Sequence, residues 1–398
     1  MTEHTLATGS LESPLIWVGL LSAAVAVGYF LVRGRRHGVA RGNTVTRVVV
    51  VGALVLGAAA FGLNDYVGYV RTPHDLAELM QRGTGGIVDV GAGLAAVSGS
   101  SDQYLAATGA SPAAHPESAS ELVKVALPDH ARGVPVGLAD VLLPPGYGDP
   151  DNRTMKYPVV YLIHGYPDGN ADDWFTSGDA QSTMDLLLAD HLVRPMILVS
   201  PDMTAGQAGT DWECLNVPSG PQLEDYLVGT VVPGIDARFR TIADRGHRAL
   251  GGMSGGAFCA LNVGLQHLRQ FGSLLLTLPY DSLGDSAGIL GNHPNLVLAN
   301  DPQAYLPAMA FPYPVSVLVD AGSAAPTDVA TGRRITASLS ARGQHAALHL
   351  DPGMTHTWRT ARAALPYLLV FADQVFTTPT VTTGTPTHHA PPGPRAHS

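Results

Sequence analysis

The chain opens with two long apolar runs and then shortens its period. No charged residue occurs between Ser13 and Val32, and LIWVGLLSAAVAVGYFLV is long enough, at about 1.5 Å per residue, to cross a hydrocarbon layer. A second run, VVVVGALVLGAAAFGL, extends from Val48 to Leu63. The pattern predicts transmembrane helices at about residues 14–32 and 48–66, with residues 1–70 as a two-span anchor. A hairpin buried in a core is the other reading. A cleaved signal peptide would want positive charge ahead of its apolar run, whereas Glu3 and Glu12 stand there without Lys or Arg.

From residue 120 the apolar runs become short and alternate in type. KVAL, GLADVLL, PVVYLIHG, PMILVSPD, RALGGMS, SLLLTL, VSVLVDAG and AALHLDPG read as strands. STMDLLLADHL, LEDYLVGTVVPGIDARF, AFCALNVGLQHL, RRITASLSARG and a last segment through Phe376 carry helical spacing. Fully apolar strands separated by helices predict an α/β domain over residues 120–376, its mostly parallel sheet covered on both faces. Functional groups then collect at the carboxyl ends of the strands.

Charge adds topology. Arg33, Arg35, Arg36, Arg41 and Arg47 all lie between the two apolar runs. Such a basic loop belongs in the cytoplasm, which puts the N-terminus and everything after residue 70 outside. The expected location is therefore the cell membrane, multi-pass, with an extracytoplasmic catalytic domain. Asp65, Tyr66 and Tyr69 would lie at the outer interface. The first 70 residues hold these five arginines and three acids, a balance of +2, which leaves −12 of the overall −10 to residues 71–398. An acidic exported part gives no electrostatic reason to expect nucleic acid. Charged residues are only 14% of the chain, against about 25% in ordinary domains. Residues 71–119, rich in Gly, Ala and Ser with one helical patch near Asp75–Gln81, read as a spacer, and the Thr/Pro/His-rich residues 377–398 as a disordered tail.

The sharpest chemical signal is Gly252-Met253-Ser254-Gly255-Gly256, between a strand-like and a helix-like segment. It fits G-x-S-x-G, in which small neighbours let a serine sit on a sharp strand-to-helix turn above the sheet. A serine nucleophile needs a general base, and the base an acid that fixes its tautomer. In α/β-hydrolases the chain order is Ser, acid, His. His356 follows the last strand, and Asp328 lies in the loop after the strand before it. Asp328 is preferred as the acid, with Asp320 and, more remotely, Asp351 as alternatives. His345 and His349 fall before and inside the last strand and read as surface or packed histidines. Backbone N–H groups of Gly255 and Tyr166 are the expected oxyanion donors. His164, Trp212 and Trp358 are candidate pocket residues, although a strand-end histidine beside glycine also reads as structural, and Trp358 equally as a core aromatic. Asp168, Asn170, Asp172 and Asp173 alternate as calcium ligands do but lack the later glutamate of a calcium loop, so a loop on the site's rim is expected. No zinc, phosphate or dinucleotide motif stands in a suitable context, so neither metal nor cofactor is expected.

With these residues assembled, the region from about 120 to 376 resembles the putative esterase family of α/β-hydrolases, which includes esterase D-type enzymes and the antigen 85 mycolyltransferases. The resemblance is carried by YLIHGYPDGNADDW, DWECLN, LEDYLVGTVVPGIDARF, GGMSGG and GMTHTW. It implies a cofactor-free serine esterase or acyltransferase acting on a lipid or other acyl ester. The mycolyltransferases carry an Asp-Gly-Leu segment where His164-Gly165-Tyr166 stands here, so trehalose specificity does not carry over. Their acid is a glutamate, whereas the esterase branch places an aspartate near Asp328. Two cysteines in an exported domain suggest one disulfide, and similarity to actinobacterial esterases at both positions implies a Cys214–Cys259 bond. The alternatives are a non-catalytic envelope protein that binds lipid, glycan or a partner with the same fold, and a peptidase.

Overall fold

The structure, a computed structural model, describes residues 9–35, 42–73, 75–76, 120–291 and 293–377. Most of the expected spacer and tail lies outside the described residues, as does all of the helical patch near Asp75–Gln81 beyond its first residues. Two helices lead the chain, α1 (Pro14–Arg35) and α2 (Gly42–Val67). α2 is longer than its apolar run, because Thr46 and Arg47 are polar yet compatible with a helix. The pair is antiparallel. Gly57 and Gly62 of α2 face Leu20 and Trp17 of α1, where a Cβ would make ordinary van der Waals contact. Trp17 Nε1 donates to Asp65 Oδ2 at 3.2 Å. Over Val45–Val67 the mean hydropathy is 2.0 with 6% of the segment buried, so one helix is long and apolar enough to cross a membrane. The apolar part of α1, Pro14–Phe30, is shorter.

From residue 120 the chain is built on an eight-stranded sheet in the order β1-β2-β4-β3-β5-β6-β7-β8. Its strands are β1 (Glu121–Ala126), β2 (Leu138–Leu143), β3 (Val159–Ile163), β4 (Ile197–Pro201), β5 (Arg248–Met253), β6 (Ser273–Thr277), β7 (Ser316–Gly322) and β8 (His345–Asp351). β2 pairs antiparallel with β1 and β4, and the remaining pairs are parallel. The alternation of side chains along a strand decides which core each residue enters. Val159, Tyr161 and Ile163 of β3 join one core, with Ala257 and Leu261 of α4 (Gly255–Gln266) and Ile335 and Leu339 of α5 (Pro326–Ala341). Val160 and Leu162 join the other, with Met184 and Leu187 of α3 (Ala180–Ala189) and Ala361, Leu365 and Leu368 of α6 (Trp358–Thr377). Helices therefore cover both faces, and buried strands such as VVYLI read apolar throughout. Cys214 and Cys259 form a disulfide that ties the DWECLN segment to α4.

Candidate active site

Ser254 stands alone between β5 and α4 with φ 56° and ψ −116°. A non-glycine residue held at positive φ costs free energy and persists only where its surroundings impose it. The surroundings here are two glycines without spare room. A Cβ on Gly252 would lie 2.3 Å from the Gly256 carbonyl oxygen, and one on Gly256 would lie 2.2 Å from that of Ile163. The turn can be this tight only because both side chains are absent. The Ser254 amide donates to the Thr277 carbonyl at 3.0 Å, which pins the turn to β6.

Two neighbouring strand ends deliver the partners. His356 follows β8, and its Nε2 lies 2.9 Å from Ser254 Oγ. Its Nδ1 lies 2.8 Å from Asp328 Oδ2, in the first turn of α5. Asp320 lies elsewhere. The β7–β8 register sets it opposite His349, whose Nδ1 is 2.6 Å from Asp320 Oδ2. His349 stacks on Tyr367, 4.1 Å between ring centres. Asp320, His349 and Asp351 present ligand atoms within 4.8 Å of one another. Burial pushes the Asp320 carboxyl up, against the pull of His349. The hydrogen bond that His349 donates to the Asp320 carboxylate raises His349. Burial and the Asp320 charge push Asp351 up to about 7.

On the other side of Ser254, the loop after β3 carries His164, Gly165 and Tyr166. Tyr166 and Gly255 line a narrow cavity of about 30 Å³ together with His164 and Trp212. The His164 ring is spent on the backbone: Nδ1 is 2.9 Å from the Gly165 carbonyl, and Nε2 accepts from the Met203 amide at 3.0 Å. It braces the loop after β3 and does not line the larger cavity over Ser254. Beneath Gly255 lies an acidic group that the sequence did not flag. Tyr280 donates its hydroxyl to Glu213, and Ser286 donates to Asp211 at 3.0 Å. Burial and the neighbouring Asp211 hold Glu213 well above the carboxylate range. Lone acids in a loop carry no periodic signal, which is why DWECLN stands out in the sequence for its cysteine, its tryptophan and its family resemblance but not for Asp211 and Glu213.

The loop of Asp168 to Asp173 lies on the rim, and two of its acids, Asp172 and Asp173, have protein partners. Lys124 pairs with Asp172, and buried Asp173 accepts from the Tyr69 hydroxyl at 3.0 Å. Tyr69 therefore meets the catalytic domain directly. A cavity of about 510 Å³ opens above the serine, lined on the catalytic side by Tyr166, Met253, Ser254, His356 and Trp358. Trp358 is 7% exposed and packs edge-on against Trp174, so it is both core and wall. The opposite wall is Ala60, Leu63, Asn64 and Val67 of α2 with Tyr69 and Val70. No sequence signal placed these residues beside Ser254, because their share in its cavity depends on how the anchor docks.

Comparison with known proteins agrees with this architecture. The family model described as Putative esterase matches residues 138–367. An esterase of Mycobacterium tuberculosis is 37% identical over 137 residues, 34% of this chain and 27% of that protein. An endo-1,4-beta-xylanase/feruloyl esterase of Xylanibacter ruminicola is 33% identical over 140 residues, 34% of this chain and 18% of that protein. An uncharacterized protein of Corynebacterium glutamicum is 33% identical over 147 residues, 37% of this chain and 33% of that protein. The chain thus spans a third or less of the length of these relatives. Among solved structures, a ferulic acid esterase superposes with a TM-score of 0.56 at 24% identity, over 65% of this chain and 98% of that one. An S-formylglutathione hydrolase of Agrobacterium tumefaciens gives 0.54 at 15% identity, over 65% of this chain and 96% of that one.

Proposed function

The chain belongs to the Putative esterase family, and we propose that it is a carboxylic-ester hydrolase, a serine esterase held in the cell membrane by α1 and α2, its catalytic domain outside, with Ser254, His356 and Asp328 as its triad. One observation carries the reading: Asp328, His356 and Ser254 form an unbroken hydrogen-bonded line of 2.8 and 2.9 Å. Asp328 holds the proton on His356 Nδ1, which leaves Nε2 free to accept from the serine. Ser254 Oγ bonds to the acyl carbon, and its proton passes to His356. The amides of Gly255 and Tyr166 take up the negative oxygen, an effect of about 3–4 kcal/mol per donor where one has been removed elsewhere. When the ester C–O bond breaks, His356 returns the proton to the departing alkoxide. Water then attacks the acyl-enzyme and gives its proton to His356, which returns it to Ser254 Oγ as the acyl C–O bond breaks, releasing the acid and free serine.

Acyl transfer follows the same path when a hydroxyl of the cell envelope replaces that water, the mycolyltransferase-like variant of the reading. His164, braced against the backbone where those enzymes carry an aspartate, argues against the same sugar acceptor. The experiment is turnover of p-nitrophenyl esters by the full chain in detergent, beside Ser254→Ala and His356→Ala, with products analysed with and without glycerol. Each substitution is expected to lower kcat by at least about 10³-fold. Wild-type turnover in Ser254→Ala would remove the serine mechanism and leave a fold that binds lipid, glycan or a partner.

A further inference from the structure

The cavity over Ser254 has one wall that does not belong to the hydrolase domain. Ala60, Leu63 and Val67 of α2 line it together with Ser254 and His356. Their spacing of three, four and seven puts them on a single helix face. The same face continues away from the site through Leu56 and Val49, which are 72% and 63% exposed. This apolar stripe therefore runs from the middle of the span to the edge of the catalytic serine. The face lies away from α1, whose contacts fall on Gly57, Gly62 and Asp65. Asn64, the polar member of the wall, spends its amide on the turn that follows. Nδ2 donates to the carbonyls of Leu11 and Val70 and Oδ1 accepts from the Val70 amide, at 3.2, 2.7 and 2.8 Å. What α2 presents to the cavity is hydrocarbon.

The wall is also fixed in place. Arg362 and Glu12 form a 2.7 Å ion pair with side chains 3% and 0% exposed. Arg71 pairs with Asp179 at 2.8 Å, and Ser177 donates to the Tyr69 carbonyl at 2.8 Å. At about 1.5 Å per residue, the 23 residues Val45–Val67 span about 34 Å, a hydrocarbon core with one turn to spare. If Val45 lies at one surface of the bilayer, Leu63 and Val67 lie at the other.

We infer that the outer end of α2 is part of the acyl-binding site, and that the substrate is an ester lipid of the outer leaflet. Its acyl chain stays against the Leu56–Ala60–Leu63–Val67 face while its carbonyl reaches Ser254. The inference rests on the serine-esterase reading above and on α2 lying in the bilayer. Each methylene kept against the wall and out of water adds to binding, so selectivity for long chains follows from the wall. The reaction itself is unchanged.

The test uses the full chain in phosphatidylcholine vesicles, with rates normalised to the fraction that reacts with a small fluorophosphonate, so that misfolded protein does not count. The readout is the ratio of kcat/KM for p-nitrophenyl palmitate to that for p-nitrophenyl acetate. Leu63→Trp and Ala60→Trp, which fill the cavity from the anchor side, are expected to lower this ratio at least tenfold. Val48→Trp, exposed and 15 residues from Leu63 on the same helix, is expected to leave it within twofold. A ratio unchanged in both cavity variants, or lowered equally by Val48→Trp, overturns the inference while leaving the esterase standing. Absence of Ser254-dependent turnover of either ester in the wild type would overturn the esterase reading and the inference together.

Discussion

Ser254, His356 and Asp328 illustrate what a single side chain's surroundings decide. Asp328 sits in a helix's first turn facing His356, whereas Asp320, eight residues earlier, faces His349. The account therefore expects Asp328→Asn to lower kcat by roughly 10³–10⁴-fold, because an amide donor favours the wrong imidazole tautomer. Asp320→Asn should leave kcat within a few fold. Steady-state kinetics of the two variants on one p-nitrophenyl ester checks this, and the reverse order would reassign the acid. The serine and the histidine were legible from the chain alone, since small residues around a strand-to-helix serine and a histidine after the last strand are local patterns. Asp328 is preferred over Asp320 from its place in the loop after the strand, but what occupies Asp320 instead was not legible, because its pairing with His349 depends on the parallel register of β7 with β8, which no local pattern encodes.

At the scale of elements, the same register builds a titrating cluster at the end of the sheet. Asp320, His349 and Asp351 all hold their protons more tightly in the folded chain than as free side chains. For Asp351 the ordinary value is 3.8 and the folded value about 7. A group raised on folding contributes stability that is complete below the unfolded pKa and is lost as pH rises through the folded one. The wild-type melting temperature should thus fall as pH climbs from about 4 toward and past 7, and Asp351→Asn should flatten that slope. Thermal melts between pH 5 and 8 measure it, and a variant with the wild-type slope would remove Asp351 from the explanation. The strands and helices themselves were legible, because buried parallel strands are apolar on both faces and helices are not. The helix ends around the basic loop were less so: hydropathy marks where the apolar run stops, while α2 begins six residues before Val48.

The whole molecule is organised by contacts of extreme sequence separation. Glu12 and Arg362 are 350 residues apart and almost fully buried, and they clamp the anchor onto α6 beside the site. Removing one partner of such a pair leaves a buried charge and costs about 3–5 kcal/mol, whereas replacing both with apolar side chains is often neutral. Glu12→Gln should lower the melting temperature of the full chain in nanodiscs by several degrees, and Glu12→Leu combined with Arg362→Met should restore most of it. An unshifted Glu12→Gln would mean that the clamp contributes nothing. In the sequence Glu12 argued only against a signal peptide, since a lone acid before an apolar run does not name its partner. The most direct test of the central claim, that Ser254 is the nucleophile, is mass spectrometry of the full chain after treatment with a fluorophosphonate. The account predicts one phosphonyl group, on the peptide containing Ser254, and none on Ser254→Ala. An unlabelled wild-type chain, or a label that persists in Ser254→Ala, would contradict it.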